Sequence, residues 1–342
     1  HLLGKQLTAI DFYSGIGGWS LGFELAGIKI LKSYEWWEPA NITHQKNLEA
    51  TAEQFNIREL DISTIPHNVD FVIGSPPCTQ FSYSNRGGSG DLEDGLQDIK
   101  KFLEIVASVK PRFWAMENVP RVAKVIQNEI QTGGVLEKFS NLLKPEMIHI
   151  IDMSAFGLPQ RRKRCIIGNF DARLLLSYTE KCRPKSLGHV LDCLSADKVS
   201  DPNYAFKLSS NAMTDHEKES TLNWEELRFN RDAKTYHTVY NDMSFPERLD
   251  KPVRTVTATC TRVSRESIII PENNNFRRLT IRERGCLQGF PINYQFFGTT
   301  YSAKIKMIGN AVPPVFTYYM ANAFKKTGID DLIVHDEIDF RF

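Results

Sequence analysis

Of the six cysteines in this 342-residue chain, one stands in a setting suited to chemistry. Cys78 follows Gly74-Ser75-Pro76-Pro77, and the two prolines fix the backbone just ahead of the thiol. The sulfur is thereby held near the end of an apolar run, Val69–Ile73. Downstream, 83–95 carries glycines at 87, 88, 90 and 95, which suits a segment that closes over a substrate. An acid, Glu117, ends a second apolar run in Met116-Glu117-Asn118-Val119. A thiol and a carboxyl group at neighbouring strand ends converge on one pocket, as nucleophilic catalysis assisted by an acid requires. The remaining cysteines lack such a frame. Cys165 opens an apolar stretch and reads as core, and Cys260 and Cys286 have neither proline nor acid beside them. Cys182, His189 and Cys193 lack the spacing of a zinc site, so no metal is expected.

A second group of residues has the form of a ligand cradle. Asp11-Phe12-Tyr13-Ser14-Gly15-Ile16-Gly17-Gly18 joins an apolar strand to a helix predicted to reach Ala26. Glycines let such a turn approach a ligand while the helix start offers unpaired N–H groups. Taken alone the turn fits either a nucleotide-type ligand or plain chain reversal. Ser20 stands where a dinucleotide fingerprint needs glycine, which argues against NAD or FAD. Glu35, twenty residues after Gly15, could accept hydrogen bonds from two ribose hydroxyls. Trp36 could stack on adenine, although at least one of Trp36 and Trp37 reads as core. Asp61 could accept from an adenine amino group or simply cap a helix.

The elements that must position these groups alternate in the first 170 residues. Strands are predicted around Leu7–Phe12, Ile28–Leu31, Val69–Ile73 and Phe113–Met116, with Met147–Ile151 and Cys165–Gly168 as the last. Helices are predicted at Leu96–Val109 and Val122–Leu143. This order implies an open, doubly wound α/β sheet. Beyond about Leu174 the texture becomes polar and aperiodic, and Trp224, Phe229, Tyr236 and Tyr240 could anchor a small second core. Regular patterning returns near Leu279, with a helix expected at Pro313–Phe324.

Composition sets bounds. The hydrophobic fraction is 42% and the charged fraction 24%, an ordinary globular balance. No apolar run is long enough for a membrane span, and the first residues lack the pattern of a secretion signal, so an intracellular protein is expected. The net charge is +1, but residues 251–284 hold eight basic and three acidic side chains, a local +5, against −4 for 329–342. A basic stretch of this kind fits either a phosphate-lined groove or a solvated face.

Seven short motifs then follow in one order: D-F-Y-S-G-I-G-G (11–18), E-W (35–36), P-P-C (76–78), E-N-V (117–119), Q-R-R-K-R (160–164), R-T-V-T (254–257) and G-N-A-V-P-P (309–314). The series resembles the cytosine carbon-5 methyltransferase family over nearly the whole chain except about 175–250. The resemblance implies a Rossmann-like class I methyltransferase lobe, 1–178 plus 303–342. It also implies a smaller, irregular lobe, 179–302, with target recognition in about 179–250. Cys78 would attack carbon 6 of a flipped-out cytosine, Glu117 would act at ring nitrogen 3, Arg164 would hold the base carbonyl and Arg162 would brace the site. Asp11, Tyr13, Gly15, Gly17, Gly18, Glu35, Trp36, Asp61, Leu96 and Asn310 fall at positions for S-adenosylmethionine, whose product is S-adenosylhomocysteine. Ser84 falls on the mobile loop, and Arg254, Arg262 and Arg265 are placed on phosphates.

Two departures stand out. Tyr13 replaces the family's usual phenylalanine, and Thr79 stands where glutamine commonly follows the cysteine. The expected partner is double-stranded DNA, and the expected setting is a monomeric prokaryotic modification enzyme beside a restriction endonuclease that acts on the same site. The rival from the same family, a transfer-RNA cytosine methyltransferase, would carry a Cys-Phe-Thr signature, and 175–250 contains none.

Overall fold

The computed structural model describes residues 6–49, 52–77, 92–195, 198–236 and 243–327, and Cys78 and Ser84 lie outside the described residues. The chain divides into two compact units. The first takes in 1–153, 163–181 and 316–332, the second 154–162, 182–315 and 333–342.

Seven strands make the centre of the first unit: β1 (Thr8–Phe12), β2 (Lys29–Glu35), β3 (Ala52–Gln54), β4 (Phe71–Gly74), β5 (Phe113–Asn118), β6 (Ile148–Asp152) and β7 (Lys163–Gly168). They pair in the order β3-β2-β1-β4-β5-β7-β6. The pairings from β3 through to β5 are parallel, while β7 runs antiparallel to both β5 and β6. Every residue of β4 and β5 is buried, as strands covered on both faces must be. This is the doubly wound sheet expected from the alternating pattern. Strand order reverses between β1 and β4, and both the glycine turn and the Pro-Pro segment leave the sheet at that switch point.

The linking helices are α1 (Gly18–Leu25), α2 (Glu38–Asn47), α3 (Leu92–Val109), α4 (Val122–Glu129) and α5 (Ala172–Ser177). On α3 the apolar positions Leu96, Ile99, Leu103 and Val106 recur at three- and four-residue spacing and join Ile10, Val72 and Trp114 in the core. The helix predicted for Val122–Leu143 is shorter than expected. It stops at Glu129, because Gly133 takes φ +86° and Leu136 N–H turns back onto the Glu129 carbonyl at 2.9 Å. Helix α2 has no apolar period to announce it, since Asn41, Thr43 and His44 are among its buried side chains.

The second unit carries α6 (Leu187–Ser195), β8 (Lys198–Ser200), β9 (Lys207–Ser209), α7 (Trp224–Thr235), β10 (Ile269–Glu272), β11 (Asn275–Arg278), α8 (Ile281–Leu287) and α9 (Tyr301–Asn310). Its strands form two antiparallel pairs, β8 with β9 and β10 with β11. The last helix, α10 (Pro314–Lys326), leads back into the first unit. There Phe324 meets the rings of Phe23, Phe71, Phe113 and Phe170 at 5.0–6.5 Å, and Thr317 Oγ1 donates to the Gly18 carbonyl at 2.8 Å.

Candidate active site

The turn after β1 is held in a conformation that its residue types explain. Gly15 and Gly17 take φ +54° and +91°, and a Cβ built at Gly15 would meet nothing within 4 Å. The left-handed backbone, not crowding, therefore selects glycine at 15, and the space beside it is open. Glu35, at the end of β2, accepts from Gly15 N–H at 2.8 Å and from Trp37 N–H at 2.7 Å. Its carboxylate is thus locked against the turn. Trp36 points outward, 65% exposed, and Trp37 is half-buried. Asp61 caps a short 3-10 helix through Ser63 N–H at 3.0 Å, and Leu96 is fully buried in the core.

Tyr13 also lies in the left-handed region, at φ +55°, which is uncommon for an aromatic residue. Its hydroxyl reaches Asp98 Oδ1 on α3 at 3.1 Å, and Asp98 in turn accepts from Arg58 at 3.0 and 2.7 Å. The hydroxyl that a phenylalanine would lack is therefore used, and it ties the turn to α3.

Beneath the turn runs a buried polar chain. Ser20 Oγ donates to Asp11 Oδ2 at 2.7 Å, lies 3.4 Å from Ser33 Oγ, and Ser33 approaches His44 Nε2 at 3.5 Å. His44 Nδ1 is 3.2 Å from Ser14 Oγ. Ser20 interrupts the dinucleotide pattern for this reason: its side chain partners Asp11. Burial pushes the Asp11 carboxyl up to about 8 and holds His44 down to about 4, so both are neutral near pH 7.

The segment leading toward Cys78 is fixed from three sides. Trp19 Nε1 on α1 donates to Ser75 Oγ at 3.0 Å, Ser75 N–H donates to the Phe12 carbonyl at 3.1 Å, and Asn118 Nδ2 donates to the Pro76 carbonyl at 3.0 Å. Asn118 follows Glu117 on β5, so one strand end carries the acid and holds the Pro-Pro segment. Antiparallel pairing of β5 with β7 brings Arg164 beside that acid, with Arg164 Nε 2.9 Å from Glu117 Oε1. Burial lowers the Arg164 guanidinium, and the Glu117 charge pulls it back up.

Arg162 belongs to the second unit. It is buried, with Nη1 donating to the Val256 carbonyl at 3.1 Å and Nη2 to the Gly309 and Ala311 carbonyls at 2.9 and 3.2 Å. Gln160 accepts from Val256 N–H at 2.8 Å and donates to Gln288 Oε1 at 2.7 Å, and Gln288 donates to Ala311 O at 2.6 Å. Gly309 completes the knot, since a Cβ there would lie 2.4 Å from the Thr257 carbonyl. Three motifs that are far apart in sequence are thus one interlocked structure. Asn310, at the end of α9, is exposed.

The arginines assigned to phosphate differ from one another. Arg254 is half-buried, donates to the Ser267 carbonyl at 2.6 Å and pairs with Glu247 at 3.3 Å. Arg262 grips Glu226 with two bonds, at 2.6 and 2.9 Å, and donates to the Ser220 and Thr221 carbonyls. Arg265 is half-buried.

The profile of the C-5 cytosine-specific DNA methylase family matches residues 7–326. The chain belongs to that family. Among curated relatives it is 26% identical to the Type II methyltransferase M.FnuDI of Fusobacterium nucleatum, covering 97% of this chain and 98% of the relative. It is 29% identical to the Type II methyltransferase M1.HphI of Haemophilus parahaemolyticus, over 95% and 88% of the two chains. In fold it is similar to a DNA modification methyltransferase encoded within an Escherichia coli prophage, at TM-score 0.69, 20% identity and 94% and 99% coverage. The Dnmt2 methyltransferase of Schizosaccharomyces pombe also matches, at TM-score 0.60 and 16% identity over 95% of this chain and 100% of that one.

As a DNA (cytosine-5-)-methyltransferase, the chain has site residues that motif reading alone left without a role. Asn118 stood in E-N-V only as a letter, yet it holds Pro76. Gln160 and Gln288 lock the motifs of the second unit, and Asp98 with Arg58 anchors Tyr13. The one available signal was the departure at Tyr13, where an added hydroxyl needs a partner. Among the described residues, no cluster of three His, Cys, Asp or Glu side chains could hold a metal, and no helix is long and apolar enough to cross a membrane.

Proposed function

We propose that this methyltransferase uses Cys78 as nucleophile and Glu117 as acid on an extruded cytosine in duplex DNA. The observation that carries the reading is the shared strand end: Glu117 pairs with Arg164, and the adjacent Asn118 holds Pro76, two residues ahead of Cys78. A duplex cytosine offers only its edges, so the base must leave the stack before a thiolate can reach the ring face. The Cys78 sulfur forms a bond to carbon 6, and the double-bond electrons shift to carbon 5. Glu117 meets the charge that builds at nitrogen 3, and Arg164 orients Glu117 and holds the base carbonyl. After carbon 5 is methylated, its proton leaves to a base and the sulfur departs from carbon 6, which restores the aromatic ring. Arg162 braces the second unit's motifs.

The cofactor turn fits S-adenosylmethionine. A carboxylate locked at Glu35, an exposed ring at Trp36 and open space at Gly15 match a ribose, an adenine and a close-lying chain. When bound, that group supplies an electrophilic methyl on a sulfonium. Asp11, Gly17, Gly18, Asp61, Leu96 and Asn310 complete the set by family position, with Tyr13 packing as an aromatic face.

The lobe 1–178 plus 303–342 would perform transfer, and 179–302 would choose the site, with Ser84 entering the gap left by the base and basic residues of 251–284 on phosphate. The relatives' Type II names support a modification role; an endonuclease that acts on the same site without binding this chain, and a monomer working where cellular DNA lies, complete the reading. Bisulfite sequencing of DNA from a methylation-free host expressing the chain tests the reading, with converted and protected cytosines giving both reaction and site. Duplexes carrying 5-fluorocytosine should trap the enzyme through Cys78, because fluorine cannot leave carbon 5 as a proton does. Label transfer to transfer RNA and not to duplex DNA, or a trap at another cysteine, would overturn it.

A further inference from the structure

Helix α7 is built inside out. It starts at a capping box, with Asn223 accepting from Glu226 N–H and Glu226 reaching back to Asn223 N–H, both at 2.9 Å. The face turned to the protein carries Glu226, Asn230 and Lys234, spaced four residues apart. Glu226 is gripped by Arg262, Asn230 Nδ2 donates to the Arg262 carbonyl at 2.8 Å, and Lys234 Nζ donates to Asn230 Oδ1 at 2.5 Å. Asn230 and Lys234 are completely buried. The face turned outward carries Trp224, Phe229 and, at the C-cap, Tyr236, which are 69%, 50% and 75% exposed. Three of the six large aromatic side chains exposed among the described residues belong to this one helix and its cap.

Burial of apolar surface by itself favours the opposite roll, with rings inward and amide and ammonium outward. The bonds of the inner face hold the helix the other way, so the aromatic face is presented. Its chemistry names the occupant. Trp224, Arg228, Arg231 and Thr235 fall at i, i+4, i+7 and i+11, one stripe with two guanidinium groups and no carboxylate. Arg228 lies over the rings of both Trp224 and Phe229, at 5.5 and 5.2 Å, which orients its fork before any ligand arrives. A planar cation held on an aromatic shelf, with a second arginine one turn on, complements the phosphates and guanine edges of duplex DNA. The flanking stripe adds Glu225 and Asp232, acceptors suited to a cytosine amino group.

We propose that the outer face of α7, through Trp224, Arg228 and Arg231, is the surface by which this enzyme reads its duplex site. This deepens the reading of the second unit as the recognition lobe and rests on it.

The experiment compares wild type with Trp224→Ala, Arg228→Ala and Arg231→Ala, and with Arg248→Ala as the control arginine elsewhere in the same unit. Each is assayed for methyl transfer to the site found by bisulfite sequencing and to every single-mismatch duplex, at two salt concentrations, and each is weighed by sedimentation. All four substituted side chains are exposed, so folding is retained. Arg228→Ala should lower kcat/KM on the cognate duplex by ~10-fold or more and relax preference at one base pair by the same factor. Arg231→Ala should either do likewise at another position or, as a phosphate contact, flatten the salt dependence by about one unit of slope. Trp224→Ala should weaken both. Site preference, kcat/KM and salt slope unchanged in all three variants would overturn the proposal. So would a wild-type dimer that Trp224→Ala converts to monomer, because the occupant would then be a second copy. If wild type transfers nothing to DNA, the underlying reading has failed instead.

Discussion

The two units of this enzyme are held together by different physics. In the first, a mostly parallel sheet buries Val72, Trp114 and Met116 against α3, and its charges at the core are few and neutral or paired, as at Asp11. In the second, salt bridges reach into and around an apolar interior. Arg277 bonds Glu283 at 2.8 Å, Arg278 grips Glu219, Arg262 grips Glu226, Arg254 pairs with Glu247, and Arg282 lies 3.7 Å from Asp215. Apolar packing itself carries no titratable group. A buried ion pair contributes little net stability but is costly to break, so it favours one arrangement over its neighbours. The difference would suit the proposed division between a frame for transfer and a lobe that holds reading side chains in one register.

The sharpest way to break this comparison is at Glu283, which accepts from Arg277 Nη1 and Nη2 and from Thr280 N–H. Glu283→Gln should destabilise the protein by ~1–3 kcal/mol, because two charge-assisted bonds lose their carboxylate while Arg277 keeps Glu272 at 2.7 Å. Urea unfolding monitored separately in each unit should show the loss in the second. An equal loss in both would erase the distinction. Next in size, Glu117→Gln should slow single-turnover methyl transfer by ~100-fold while leaving cofactor affinity near wild type, because it keeps shape and loses the acid. Collapse of cofactor binding with intact chemistry would assign Glu117 elsewhere.

The units should also differ in the sign of their pH response. The folded Asp11 carboxyl sits at about 8, above its unfolded value, so its contribution is complete below about 4 and fades as pH rises toward 8. Glu226 is held down to about 2 by Arg262, so its contribution is present above about 4.5 and fades as pH falls toward 2. Asp11→Asn should therefore flatten the decline in stability between pH 4 and 8 and leave acid unfolding of the second unit in place. A Tm profile with the same slope in wild type and variant would count against it. The smallest effect is expected at Tyr13→Phe, which removes the bond to Asp98 and should cost about 1 kcal/mol and raise the cofactor KM slightly. No change in either would mean that the hydroxyl is not what anchors the turn.

Motif order along the chain was enough to specify the family, because a proline-framed thiol, an acid at a strand end and glycines in a turn are local demands on local backbone. The period of apolar residues was likewise enough for the central strands and for α3, since a buried strand leaves little choice of residue. The same reading overran at α4, where Val135, Leu136, Phe139 and Leu142 are apolar at helical spacing but the backbone had already turned at Gly133. It missed α2, whose inner side chains are polar.

What only the tertiary structure decided is which polar groups meet. Arg162, Arg254, Arg262 and Arg265 look alike in sequence as basic residues near conserved-type motifs, yet Arg162 serves three carbonyls and Arg254 and Arg262 are occupied by glutamates. Those partners lie from 7 to 149 residues away along the chain. An arginine's charge is written in the sequence, but whether it faces phosphate or a buried carboxylate depends on which distant residue the fold brings within hydrogen-bonding reach.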